Sequence, residues 1–200
     1  MLNAKALSDL FTKNSDERLC KRWFLMSRNG TLLAYTQSAN IKDLRKQAAM
    51  ATLSWQEHQD PPNSGAEDVL GEPAKIALPG VLHTLTVEAE SSNLIIRKVQ
   101  PQLLLVLEGG VPPRKQTFEP RATPETPQDA PYPSQEIQSS HADSAMGSSL
   151  PSTADSSNST TSCELLALQR RKLDAMASAI GRDLESTGFK MPEEGNIKTF

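Results

Sequence analysis

The chain has 200 residues, 14 prolines and a formal net charge of -3, which allows one domain with a Pro- and Ser-rich decoration and advertises neither a nucleic-acid nor a phospholipid surface. No positive flank precedes an apolar run at the N-terminus, no window approaches the ~18 apolar residues of a membrane span, and Leu2 does not fit the N-myristoylation motif. Membrane attachment is therefore expected only through a partner. Cys20 and Cys163 belong to no CxxC pair and read as structural thiols of a reduced, cytoplasmic compartment, with a single disulfide left open.

In chain order, Leu7, Leu10 and Phe11 recur at helical spacing over residues 3–13, with Asn3 as N-cap and Asn14-Ser15-Asp16 as the break. Two strand-like runs follow within 22–37, joined by Asn29-Gly30, which predicts a tight hairpin. Each run is apolar on both faces: Trp23 and Leu25 oppose Phe24 and Met26, and Leu33 and Tyr35 oppose Leu32 and Ala34. Such a hairpin requires helices on both sides. Ser38 or Asn40 caps a second helix reaching about His58, with Ile41, Leu44, Ala48, Ala51 and Trp55 on the sheet side. Ala49 and Leu53 lie off that side among Lys42, Arg45 and Gln56, forming a narrow apolar strip the chain's own sheet cannot reach.

Residues 59–80 hold too many prolines and glycines for a regular element. Strands are predicted over 82–90, 93–99 and 103–108 as an antiparallel meander, the last apolar on both faces and so central, the first nearer an edge. Residues 109–161 carry eight of the fourteen prolines and almost no aliphatic side chains, which predicts disorder. A closing helix over 162–188 is announced by the capping box of Thr161 and Glu164, striped by Leu166, Leu173, Met176, Ala177, Ile180 and Leu184, and ended by Gly188. The ordered unit is thus 1–108 plus 162–188, with 189–200 a flexible tail.

Catalytic, cofactor and metal signatures are missing from this pattern. His58, His83 and His141 have no second ligand at metal spacing, and Gly109-Gly110 is followed by Val-Pro-Pro rather than by a helix that would cradle phosphate. No nucleophile elbow or Cys-centred signature occurs. Thr123-Pro124 and Thr126-Pro127 are candidate phosphorylation sites for proline-directed kinases, with chance Thr-Pro pairs as the simpler reading.

The element order, Lys5-Ala6-Leu7 at the start, Asn29-Gly30-Thr31-Leu32-Leu33-Ala34-Tyr35, and Ile95-Ile96-Arg97-Lys98-Val99 before an all-aliphatic strand resemble the roadblock family, and within it the adaptor subunits of Ragulator complexes. The resemblance implies an α+β fold: a five-stranded antiparallel sheet in the order 2-1-5-4-3, with the second helix on one face and the terminal helices on the other. It implies no active site and no cofactor. Pairing with another roadblock-fold subunit would use Arg45, Ala49, Leu53 and Gln56 on the helix and Leu82, Thr84 and Thr86 on the third strand. It further implies a scaffold that holds Rag-type GTPases at late endosomes, lysosomes or the vacuole, in signalling to the target-of-rapamycin kinase. The alternatives within the resemblance are a dynein-associated light chain and a direct regulator of a small GTPase.

Overall fold

The computed structural model describes residues 2–59, 82–111, 120–127 and 156–192, of which 156–162 are described as backbone only. In chain order the elements are α1 (Ala4–Lys13), β1 (Cys20–Ser27), β2 (Leu32–Tyr35), α2 (Ile41–Gln59), β3 (Thr84–Glu88), β4 (Ser92–Gln100), β5 (Leu103–Gly110), β6 (Arg121–Glu125) and α3 (Ser156–Ser186). All strand pairs are antiparallel, and the sheet runs β2-β1-β5-β4-β3-β6. Its first five strands stand in the order the roadblock resemblance implies.

Alternation along the strands divides the interior in two. Trp23, Leu25, Ile95, Leu103, Leu105 and Leu107 pack with Leu7 and Phe11 of α1 and with Leu173, Met176, Ala177, Ile180 and Leu184 of α3. Phe24, Met26, Leu85, Ile96, Leu104 and Val106 pack with Leu44, Ala48, Ala51 and Trp55 of α2. One helix therefore covers one face and two cover the other. Each fully buried large apolar side chain contributes ~1.5–3 kcal/mol, which makes central β5, buried along its whole length, the strand around which both layers assemble.

The local signals work as their chemistry dictates. Asn3 Oδ1 accepts from the Ala6 N–H at 3.0 Å and starts α1. Asn40 Oδ1 accepts from the Lys42 N–H at 3.0 Å and starts α2. Gly188 (φ 64°) ends α3 in a Schellman motif: Phe189 N–H donates to the Leu184 carbonyl at 2.9 Å and Gly188 N–H to the Glu185 carbonyl at 3.1 Å.

Several expectations are corrected. The hairpin loop has three residues rather than two: Gly30 N–H donates to the Ser27 carbonyl at 3.0 Å and Ser27 N–H to the Thr31 carbonyl at 2.9 Å, with Gly30 at positive φ (85°) in the closing left-handed position. Leu33 is the extra residue of a bulge, because Leu25 pairs with Ala34 and Met26 with Leu32. Leu33 and Ala34 consequently share the α1/α3 side, and Leu32 and Tyr35 the α2 side. Ile41, placed by spacing on the sheet side, is 37% exposed in the first turn of α2. The helix α3 starts at Ser156, so Thr161 and Glu164 lie inside it rather than at its cap.

The largest correction concerns 109–161. Within the stretch read as disordered, Gly109 and Gly110 complete β5, and Arg121–Glu125 form β6, which pairs with β3 along all five residues. At the other end, Phe189 packs on the α1/α3 core, and Gln100 holds both the Phe189 carbonyl (2.8 Å) and the Met191 N–H (3.0 Å), so the chain directly after α3 is pinned rather than loose. The expected loop over 60–80 and His141 lie outside the described residues.

Candidate partner-binding surface

The helix half of the sequence-derived surface is open. Arg45, Ala49, Leu53 and Gln56 are all exposed on α2. Of the four large apolar side chains left exposed among the described residues, Ile41, Met50 and Leu53 belong to this helix, and the latter two are 62% and 61% exposed. Met50 was missed by the sequence reading, although its place three residues before Leu53 makes the two neighbours on one helix face. With Ala49 they form an apolar ridge flanked by Lys42, Arg45 and Lys46 toward the N-terminal end and Glu57 toward the C-terminal end. Isolated exposed leucines are ordinary. A ridge of adjacent apolar groups on one helix is what a partner helix packs against.

The strand half is closed. Leu82 is buried and joins the α2-side core. Thr84 and Thr86 are 1% and 3% exposed. The hairpin bond from the Ala89 N–H to the Ser92 carbonyl (3.1 Å) fixes the alternation: Leu85 and Val87 direct their backbone groups at β4, and Thr84, Thr86 and Glu88 direct theirs the other way. That other side is filled by β6, in the register Thr84 with Glu125, Thr86 with Thr123, and Glu88 with Arg121. The Glu125 carbonyl also accepts from the His83 N–H at 2.9 Å. Of the two phosphorylation candidates, Thr123 is therefore a strand residue opposite Thr86, and Thr126 directly follows the strand; both are partly buried.

The helix α3 secures this arrangement through two polar residues on its otherwise apolar face. Arg170, 7% exposed, donates to Thr86 Oγ1 at 2.8 Å and to Glu125 Oε1 at 2.5 Å, and its second terminal nitrogen donates to Glu125 Oε2. One guanidinium thus grips both β3 and β6 from above. Gln169, fully buried, donates through Nε2 to the Leu19 (3.0 Å) and Gly110 (2.7 Å) carbonyls and accepts from Asn93 Nδ2 at 3.0 Å. A further ion pair joins Arg97 of β4 to Asp174 of α3.

Among the described residues no group of three His, Cys, Asp or Glu side chains is placed to hold a metal ion. His58 Nδ1 lies 2.8 Å from the Ser54 carbonyl of its own helix, and His83 lies beside Thr84 at the start of β3. Burial, with the Arg97 guanidinium adding to it, lowers the His83 pKa below its ordinary value. No disulfide joins the cysteines: Cys20 is buried, which pushes its thiol up to about 11, and Cys163 is exposed. No described helix is long and apolar enough to cross a membrane.

No family model matches the chain, and no curated protein matches it. Among solved structures, a Roadblock/LC7 domain from Streptomyces avermitilis aligns at 14% identity over 52% of this chain and 76% of that one, with a TM-score of 0.40. MglB in a tetrameric arrangement aligns at 16% identity over 54% and 72%, with a TM-score of 0.36. The gliding protein MglB from Thermus thermophilus aligns at 15% identity over 55% and 76%, also with a TM-score of 0.36.

Proposed function

We propose that the chain is a non-enzymatic scaffold subunit of roadblock type, which pairs with another roadblock-fold protein and, in a Ragulator-like complex, holds Rag-type GTPases on the cytosolic face of late endosomes, lysosomes or the vacuole for signalling to the target-of-rapamycin kinase. The observation that carries the pairing is the outward ridge of Ala49, Met50 and Leu53 on α2, left uncovered while the opposite side of the same helix is fully engaged with the sheet. A standard interface of ~800 Å² per partner fits such a helix with its flanks. The GTPase and membrane assignments rest on the resemblance of the sequence blocks quoted above. The molecule reaches a membrane through its partners and contacts no nucleic acid.

Native mass spectrometry of complexes purified from the source tests this reading. Co-purification with a roadblock-fold subunit and Rag-type GTPases supports it, whereas co-purification with dynein components replaces it with the light-chain alternative. Leu53→Asp abolishes partner capture while leaving the thermal midpoint unchanged; unchanged capture moves the interface off α2. A turnover assay with a small GTPase shows no acceleration by the isolated chain, and acceleration would assign it instead as a direct regulator.

A further inference from the structure

The chain supplies its own occupant for the sheet edge at which the proposed pairing would continue. β6 forms five register pairs with β3, yet none of its side chains belongs to either core cluster. Its exposure runs exposed, exposed, intermediate, exposed, intermediate from Arg121 to Glu125. Pro124 stands opposite Leu85, and since the flanking residues turn their backbone groups to β3, its nitrogen faces away, where a missing N–H costs the ladder nothing. Proline there also denies the next strand a donor. β6 is thus an edge strand attached by backbone hydrogen bonds and by the grip of Arg170 on Glu125, with almost no hydrophobic burial behind it. Elements with few buried apolar contacts open at a fraction of the global unfolding free energy. β3 beneath it is different in kind, because Leu85 is fully buried in the α2-side core and Thr84 and Thr86 are nearly so.

We infer that β6 is an exchangeable strand that keeps the β3 edge closed, latched by Arg170 through Glu125, and that it must leave before another sheet can add to β3. Strand addition at a free edge is a general mode of protein association, and an edge already filled by a segment of the same chain is protected against indiscriminate pairing. The latch spans α3, β3 and β6 at one point, so loss of one carboxylate loosens the strand while the apolar side chains of both cores keep their contacts. The gating part of this inference rests on the pairing reading above; the opening of β6 does not.

Hydrogen exchange on the full chain tests the opening. The Thr84 and Thr86 amides, which face β6, exchange about tenfold or more faster than those of Leu85 and Val87, which face β4, and Glu125→Gln widens the gap by about another tenfold. Equal protection of the two sets, unmoved by Glu125→Gln, would make β6 a permanent strand and overturn the inference. Gating is read with Val87→Cys plus Ala122→Cys in a Cys163→Ser background, a cross-strand pair whose spacing suits a disulfide. Sedimentation of this chain mixed with its co-purifying roadblock-fold subunit detects association when the cysteine pair is reduced and none when it is oxidised. In this mixture, association that survives oxidation overturns the gating, whereas an intact exchange contrast with no association in either form counts against the pairing reading and leaves the latch standing.

Discussion

A Cβ placed on Gly109 would lie 2.3 Å from Nε2 of Gln169, closer than any real contact allows. The glycine at the end of β5 exists to admit the Gln169 amide, which bridges the Leu19 and Gly110 carbonyls and the Asn93 amide where α3 crosses the sheet. Gly109→Ala is expected to cost ~1–3 kcal/mol by forcing this contact apart. Gln169→Ala costs a similar amount by leaving buried partners unpaired. Because both changes act on one contact, the double variant loses less than the sum, which urea unfolding of the four proteins of the cycle measures.

The two sides of α2 should respond oppositely to substitution. Leu44 is fully buried between α2 and the sheet, so Leu44→Ala lowers stability by ~2–5 kcal/mol. Met50 lies on the outer ridge, and Met50→Ser stays within ~0.5 kcal/mol of the parent in the isolated chain. Thermal unfolding of the two variants separates the structural side of the helix from the side reserved for association.

The cysteines differ in chemistry as they differ in place. The thiolate is the reactive species, and burial holds Cys20 protonated up to about pH 11, whereas Cys163 is exposed on α3. At pH 8 an alkylating reagent should modify Cys163 in the native protein and reach Cys20 only after denaturant is added. Mass spectrometry of the two products reads this directly.

Acid weakens the fold through His83. Burial is the leading cause of its lowered pKa, with Arg97 and Arg170 reinforcing it and Asp174 and Glu125 opposing. The unfolded chain takes up a proton near the ordinary value of 6.5, and the folded chain only below it. This contribution is therefore whole above pH 6.5 and is lost as pH falls through the lowered value. A stability profile between pH 7 and 5 is expected to fall with acidification in the parent and to flatten in His83→Gln. Asp16, whose carboxylate is held low chiefly by the Arg18 and Leu19 amides, acts only below the ordinary carboxylate value of 3.8 and leaves that window untouched.

A negative charge at Thr123 should loosen β6. Thr123 pairs with Thr86, whose hydroxyl touches Arg170, so it shares a face with Glu125, the strand's anchor on that guanidinium. Thr123→Glu places a second carboxylate two residues from the first, where it competes for the same guanidinium and repels Glu125 from it. Faster exchange of the Thr84 and Thr86 amides is the expected result, and proline-directed phosphorylation would act in the same direction.

Much of this architecture could be read from the chain because the strong signals are local. Alternating apolar faces at Trp23–Met26, the glycines at 30 and 188, and Asn3 and Asn40 each specify a turn, cap or strand by their own chemistry. The outer ridge of α2 was half visible, since Ala49 and Leu53 break its polar side, but Met50 passed unnoticed. β6 was hidden because Arg-Ala-Thr-Pro-Glu has no apolar period and sits among prolines, so only tertiary pairing with β3 gives it a structure. One signal was available: Gln169 and Arg170 fall on the buried stripe between Leu166 and Leu173, and a buried arginine demands a carboxylate. The Pro-rich stretch holds six carboxylates, Glu119, Glu125, Asp129, Glu136, Asp143 and Asp155, and only the fold selects Glu125 among them.

The hydroxyls of α1 bear on stoichiometry. Ser8 Oγ accepts from the Tyr35 N–H at 3.3 Å and Thr12 Oγ1 from the Gln37 N–H at 3.1 Å, so short side chains, not another ribbon, finish the outer margin of β2. Growth of the sheet from that margin would require α1 to be stripped away. Ribbon-to-ribbon joining then has one direction open, at the margin β6 now holds, so sheet growth alone cannot run on through both margins of a copy.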